Sequence, residues 1–77
     1  MREMIISIYD DWYGYDVAVN GIGLEVEERR KIKNDFYCIS YYSHKEDVVD
    51  FMKKHSCDRL IVCENGSIEI FEDKKEG

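Results

Sequence analysis

Apolar residues in this chain fall in short runs separated by polar turns, and the spacing within each run predicts an element. Residues 4–9 (MIISIY), 36–42 (FYCISYY) and 60–63 (LIVC) are apolar on both alternating sets of positions. Strands covered on two sides show that pattern. Two Asn-Gly dipeptides, Asn20-Gly21 and Asn65-Gly66, each lie between runs of strand character. A type I′ turn needs positive φ at both central residues, which Asn and Gly accept, so each dipeptide predicts a two-residue hairpin. At the first, Val19 would pair with Ile22, Val17 with Leu24 and Tyr15 with Val26, leaving Asp16 opposite Glu25 with Glu27 nearby. At the second, Cys63 would pair with Ile68, Ile61 with Ile70, Val62 with Glu69 and Leu60 with Phe71.

One helix has clear signals. Ser43, His44, Lys45 and Glu46 fit a capping box, Asp47 adds charge near the positive end of the macrodipole, and Lys53, Lys54 and His55 fall in the last turn. Val48, Phe51, Met52 and His55 recur at i, i+3, i+4 and i+7, which makes them the buried stripe. Residues 27–35 (EERRKIKND) lack a sustained period and read as an exposed loop or a single helical turn. The elements then run strand, strand, strand, strand, helix, strand, strand. This is an α+β domain with a mostly antiparallel sheet of five to six strands and one amphipathic helix on one face. Such a helix covers only part of the sheet. The other face, drawing on Ile5, Tyr37, Tyr41, Leu60, Val62 and Phe71, would need closure by curling or by a partner, a second copy included.

With 77 residues, 44% hydrophobic and 36% charged, the chain reads as one soluble domain over 1–77, its tail from Asp73 frayed. No run approaches the about 18 apolar residues of a membrane helix. Three cysteines, Cys38, Cys57 and Cys63, with no CxxC pair point to a reducing, cytoplasmic setting. The net charge of −6 is unevenly placed: residues 1–28 hold seven acids and one base, whereas residues 29–77 hold ten of each. An acidic N-terminal third repels phosphate backbones and favours basic partners, so nucleic acid is a disfavoured ligand.

The segment YDDWYGYD, residues 9–16, carries four aromatic rings and three carboxylates in eight positions. A hairpin connection accounts for the Asp and Gly. It does not account for the rings, since Trp and Tyr supply the rigid amphipathic area that dominates interface hot spots. Tyr9, Asp10, Asp11, Trp12, Tyr13, Tyr15 and Asp16, with Glu25 and Glu27, are therefore the candidate surface for a larger protein with a basic face. In a sharper form, that face belongs to a nucleic-acid-handling protein and the carboxylates stand where phosphates would lie, as in small inhibitors that viruses and mobile elements encode.

The main alternative is an RNA or single-stranded nucleic-acid binder. In it, Arg29, Arg30, Lys31 and Lys33 would hold the backbone and Tyr37, Tyr41 and Tyr42 would stack bases on a sheet face. The bland reading of those bases is a solvated segment balancing Glu25, Glu27 and Glu28. A homo-oligomeric subunit is the third alternative. No DxDxDG, HExxH, GxSxG or phosphate-loop motif occurs, and the strand cysteines read as small core hydrophobes, so no metal, cofactor or catalytic residue is expected.

Overall fold

The computed structural model describes residues 2–39, 41 and 45–73. Four strands and two helices follow one another as β1 (Glu3–Asp11), β2 (Gly14–Asn20), α1 (Val26–Cys38), α2 (Asp47–Lys54), β3 (Arg59–Glu64) and β4 (Ser67–Glu72). The strands make one sheet in the order β2-β1-β3-β4. Its outer pairs are antiparallel hairpins, and its central pair, β1 with β3, is parallel. The fold is thus α+β as expected, but with four strands in a mixed sheet and two helices, in place of five or six mostly antiparallel strands and one helix.

The hairpin at Asn65-Gly66 has the predicted register, with Leu60↔Phe71, Ile61↔Ile70, Val62↔Glu69 and Cys63↔Ile68. Asn65 at φ 48° and Gly66 at φ 82° supply the two positive φ angles that the turn requires. The hairpin expected at Asn20-Gly21 does not form. Asn20 ends β2, a turn closed by the Leu24 N–H to the Gly21 carbonyl at 3.4 Å follows, and Gly23 at φ 80° leads into α1. β2 pairs instead with β1, through a two-residue turn at Trp12 and Tyr13, with Ile8↔Val17 and Ile6↔Val19. The longer apolar strand offers β2 a pairing that a chain of Leu24 and Val26 could not match, so tertiary context overrides the local Asn-Gly signal.

Residues 27–35, expected to be a loop, lie within α1, and its C-terminal end takes Phe36, Tyr37 and Cys38 out of the expected strand. The rest of that strand includes residues 40 and 42, outside the described residues. Only Ile32 and Phe36 of α1 are buried. Two apolar residues at i and i+4 make a narrow stripe, and they suffice because both are fully enclosed, while Glu27 and Glu28 suit the first turn. The second helix buries Val48, Phe51 and Met52, as the i, i+3, i+4 spacing predicts, whereas His55, expected on the same stripe, is its half-buried C-cap. Of the capping box, Ser43 and His44 lie outside the described residues, and Glu46 occupies the N-cap without a side-chain bond that caps the helix.

Both helices lie on one face of the sheet. Met4, Ile6, Ile8, Val17, Val19, Leu60 and Val62 point into that layer and join Ile32, Phe36, Val48, Phe51 and Met52 in one core. Tyr41 belongs to it too, its ring 5.5 Å from Phe36 and 6.1 Å from Phe71. Among the described residues, no helix covers the opposite face, which includes Ile5, Ile61, Ile68 and Ile70. Leu60, Val62 and Tyr41, expected on that second face, are in the core instead, Phe71 packs against that core, and Tyr37 lies on α1.

Candidate functional site

β1 pairs with β3 only from Glu3 to Ile8, whereas its pairing with β2 continues through Tyr9↔Asp16 and Asp10↔Tyr15 to Asp11↔Gly14. The last three residues of β1 therefore leave the sheet as a two-stranded arm. The molecule is correspondingly long, 45 × 27 × 22 Å. At the two-residue turn that ends the arm, Trp12 is 93% exposed and Tyr13 94%. Gly14, at φ 128°, takes a conformation that L side chains rarely adopt. Tyr9 on the arm is 61% exposed and Asp10 is exposed, and the backbone places Asp11 and Tyr15 beside them.

Asp16 sits at the base of the arm and is engaged within the chain. Its Oδ1 accepts the Tyr37 hydroxyl at 2.6 Å and the Val17 N–H at 2.8 Å, and lies 3.0 Å from the Lys33 ammonium. The Tyr37 hydrogen bond, then Lys33, pull its carboxyl down to about 2. Burial and the neighbouring carboxylate push the Tyr37 phenol up, and hydrogen bonding to Asp16 raises Lys33. Val17 N–H also meets the Tyr37 oxygen at 3.1 Å, so the helix occupies a donor on the outer edge of β2. α1 is thereby braced against the base of the arm.

The proposed acidic surface is split by this arrangement. α1 begins at the Asn20 end of β2, so Glu25 and Glu27 are separated from the turn by the length of a seven-residue strand, roughly 20 Å. The expected opposition of Asp16 and Glu25 does not exist. What the structure gathers is Tyr9, Asp10, Trp12 and Tyr13, with Asp11 and Tyr15 in the same arm.

The alternative surface fares differently. On a helix, Arg29, Arg30 and Lys31 point about 100° apart in succession, so four bases in five positions become separate side chains around α1. Lys33 is committed to Asp16, and Glu28 of the same helix binds Arg2 at 2.6 Å. Tyr37 is helical and bonded to Asp16, and Tyr41 is 7% exposed, its hydroxyl donating to Glu69 at 3.1 Å. These residues form no stacking platform on the sheet; Tyr42 lies outside the described residues.

Cys57 is buried, its thiol pushed up by burial and donating to the Arg59 carbonyl at 3.0 Å. His55 Nε2 lies 2.7 Å from Asp35, which also meets Lys54 at 3.0 Å. Among the described residues, no three His, Cys, Asp or Glu side chains are grouped to hold a metal ion. Among these residues, no helix is long and apolar enough to cross a membrane. Compared with known proteins, the chain matches no family model, no curated protein and no solved structure.

Proposed function

We propose that this chain is a non-enzymatic protein-binding module that docks through the tip of its β1–β2 arm. Trp12, Tyr13 and Tyr9 are the apolar anchors, and Asp10 and Asp11 select a basic surface on a larger protein. The observation that carries this reading is the near-complete exposure of Trp12 and Tyr13 at the end of an arm that extends past the third strand. Nothing in the core needs these rings, and burying an aromatic side chain of this size supplies the dominant energy of a typical hot spot. Glu25 and Glu27 lie too far along β2 to share that contact. In its sharper form the basic surface is a phosphate-binding one, with Asp10 and Asp11 standing in for phosphates, and the module is an inhibitor of a nucleic-acid-handling protein.

Affinity capture from the native host tests this with paired baits. Wild type should recover a partner that Trp12→Ala/Tyr13→Ala and Asp10→Lys/Asp11→Lys both lose, with recovery falling as salt rises. Unchanged recovery by both variants removes the proposal. Competition for the captured partner by a mixed oligonucleotide pool supports the phosphate-mimic form, and its absence removes that form alone.

A further inference from the structure

The two edges of the sheet are unequal. On β2, the N–H of Val17 points away from β1 and is taken by Asp16 and Tyr37, so α1 occupies one outward donor of that edge. On β4, the two-residue turn makes Glu64 and Ser67 a hydrogen-bonded pair, as are Val62 with Glu69 and Leu60 with Phe71. The main-chain groups of Ile68, Ile70 and Glu72 therefore point outward from the sheet. β4 carries no proline, lysine or bulge of the kind that protects natural edges, and Ile68 and Ile70 are 66% and 50% exposed.

On the uncovered face the register aligns one row across the sheet, Asn20–Ile5–Ile61–Ile70, which runs out at the β4 edge. We propose that this edge is completed by β4 of a second copy, antiparallel about a two-fold axis at Ile70, joining two sheets into one of eight strands. Ile70 then pairs with its own copy and the row continues as six isoleucines across the dimer. Charge and strand length select this register among those that use the outward groups. Centred on Ile70, Glu69 opposes Phe71 and Ile68 opposes Glu72, with no two acids facing. Moving the axis by one residue sets Glu69 against Glu69 or against Asp73; moving it by two sets Glu72 against Glu72 in one direction and in the other leaves only residues 67–69 of β4 paired. The two-fold contact consumes the β4 edge of both copies, so association through this edge closes at a pair.

Light scattering across concentration, with Ile70→Pro and Ile70→Lys as variants, tests the proposal. Proline at 70 removes an N–H that no strand of the same chain uses, so the fold tolerates it while pairing is lost. Wild type should shift toward twice the monomer mass as concentration rises, with the Ile68 and Ile70 amides gaining protection from hydrogen exchange in step. Both variants should weaken association by about tenfold or more. A wild type that stays monomeric at high micromolar concentration overturns the proposal. So does a dimer that survives both Ile70 variants but is lost in Ile61→Lys, which would mean packing face to face. Protection of the β4 amides only when a foreign extended peptide is added also overturns it, and would assign the edge to a different chain.

Discussion

The phenol of Tyr37 and the carboxylate of Asp16 meet at 2.6 Å, joining the C-terminal turn of α1 to the strand that carries the aromatic arm. Twenty-one positions separate them in sequence, and the contact uses an acid that composition alone would assign to partner binding. It also fixes a pH dependence. The folded-state carboxyl lies at about 2 against an ordinary value of 3.8, so its contribution to stability is present above pH about 4 and is lost as pH falls toward 2. Thermal melts of wild type and Asp16→Asn should therefore converge between pH 4 and 2, with wild type the more stable at pH 6. Curves that stay parallel over that window would show that the contact contributes nothing.

The helical state of residues 26–38 makes a second prediction. Phe36 is 1% exposed and Ile32 is fully buried, while Val26 on the same helix is 57% exposed. Phe36→Ala should cost about 3–5 kcal/mol and Ile32→Ala about 2–5 kcal/mol, against about 0.5 kcal/mol or less for Val26→Ala. A domain of this length has a total stability of only roughly 4–12 kcal/mol, so the first two substitutions should leave a large unfolded fraction in chemical denaturation. Equal effects of all three would return this segment to a loop.

How far the sequence discloses this fold differs between its two halves, for physical reasons. The C-terminal half is readable because its signals are local: the helix stripe Val48, Phe51 and Met52, and a hairpin whose Asn65 and Gly66 both need positive φ. In the N-terminal half the deciding contacts are distant. β2 selects β1 over the segment after Asn20, and α1 buries only Ile32 and Phe36, too few for a visible helical period. The parallel pairing of β1 with β3 has no local signature at all. Within the candidate site, the exposure of Trp12 and Tyr13 follows from the excess of rings over what a turn requires. The diversion of Asp16 to Lys33 and Tyr37 does not, since it depends on where α1 ends.

Gly66 carries a third prediction. An added Cβ there meets nothing within 4 Å, so the only penalty of Gly66→Ala is the backbone at φ 82°. Holding alanine in that region costs about 1–2 kcal/mol, which should appear as faster unfolding of the β3–β4 hairpin with the core unchanged. Asn65→Ala should cost less than Gly66→Gln, since Asn65 at φ 48° sits where other residues reach with less strain. A Gly66→Ala variant as stable as wild type would mean the turn is not type I′.

Trp12 is the chain's single tryptophan, so selectively excited tryptophan fluorescence reports on the arm tip alone. At 93% exposure its ring is solvated in the folded state almost as fully as in the unfolded one. Denaturation should therefore leave the emission maximum nearly unshifted while far-ultraviolet circular dichroism reports a cooperative transition. Trp12→Ala should change stability by no more than about 0.5 kcal/mol, since no buried contact is lost. When the partner is added, the same ring should pass from water into an apolar pocket, and the emission should move to the blue. Blue-shifted emission in the free protein would mean the tip is already covered, leaving the arm without the exposed anchor that docking requires.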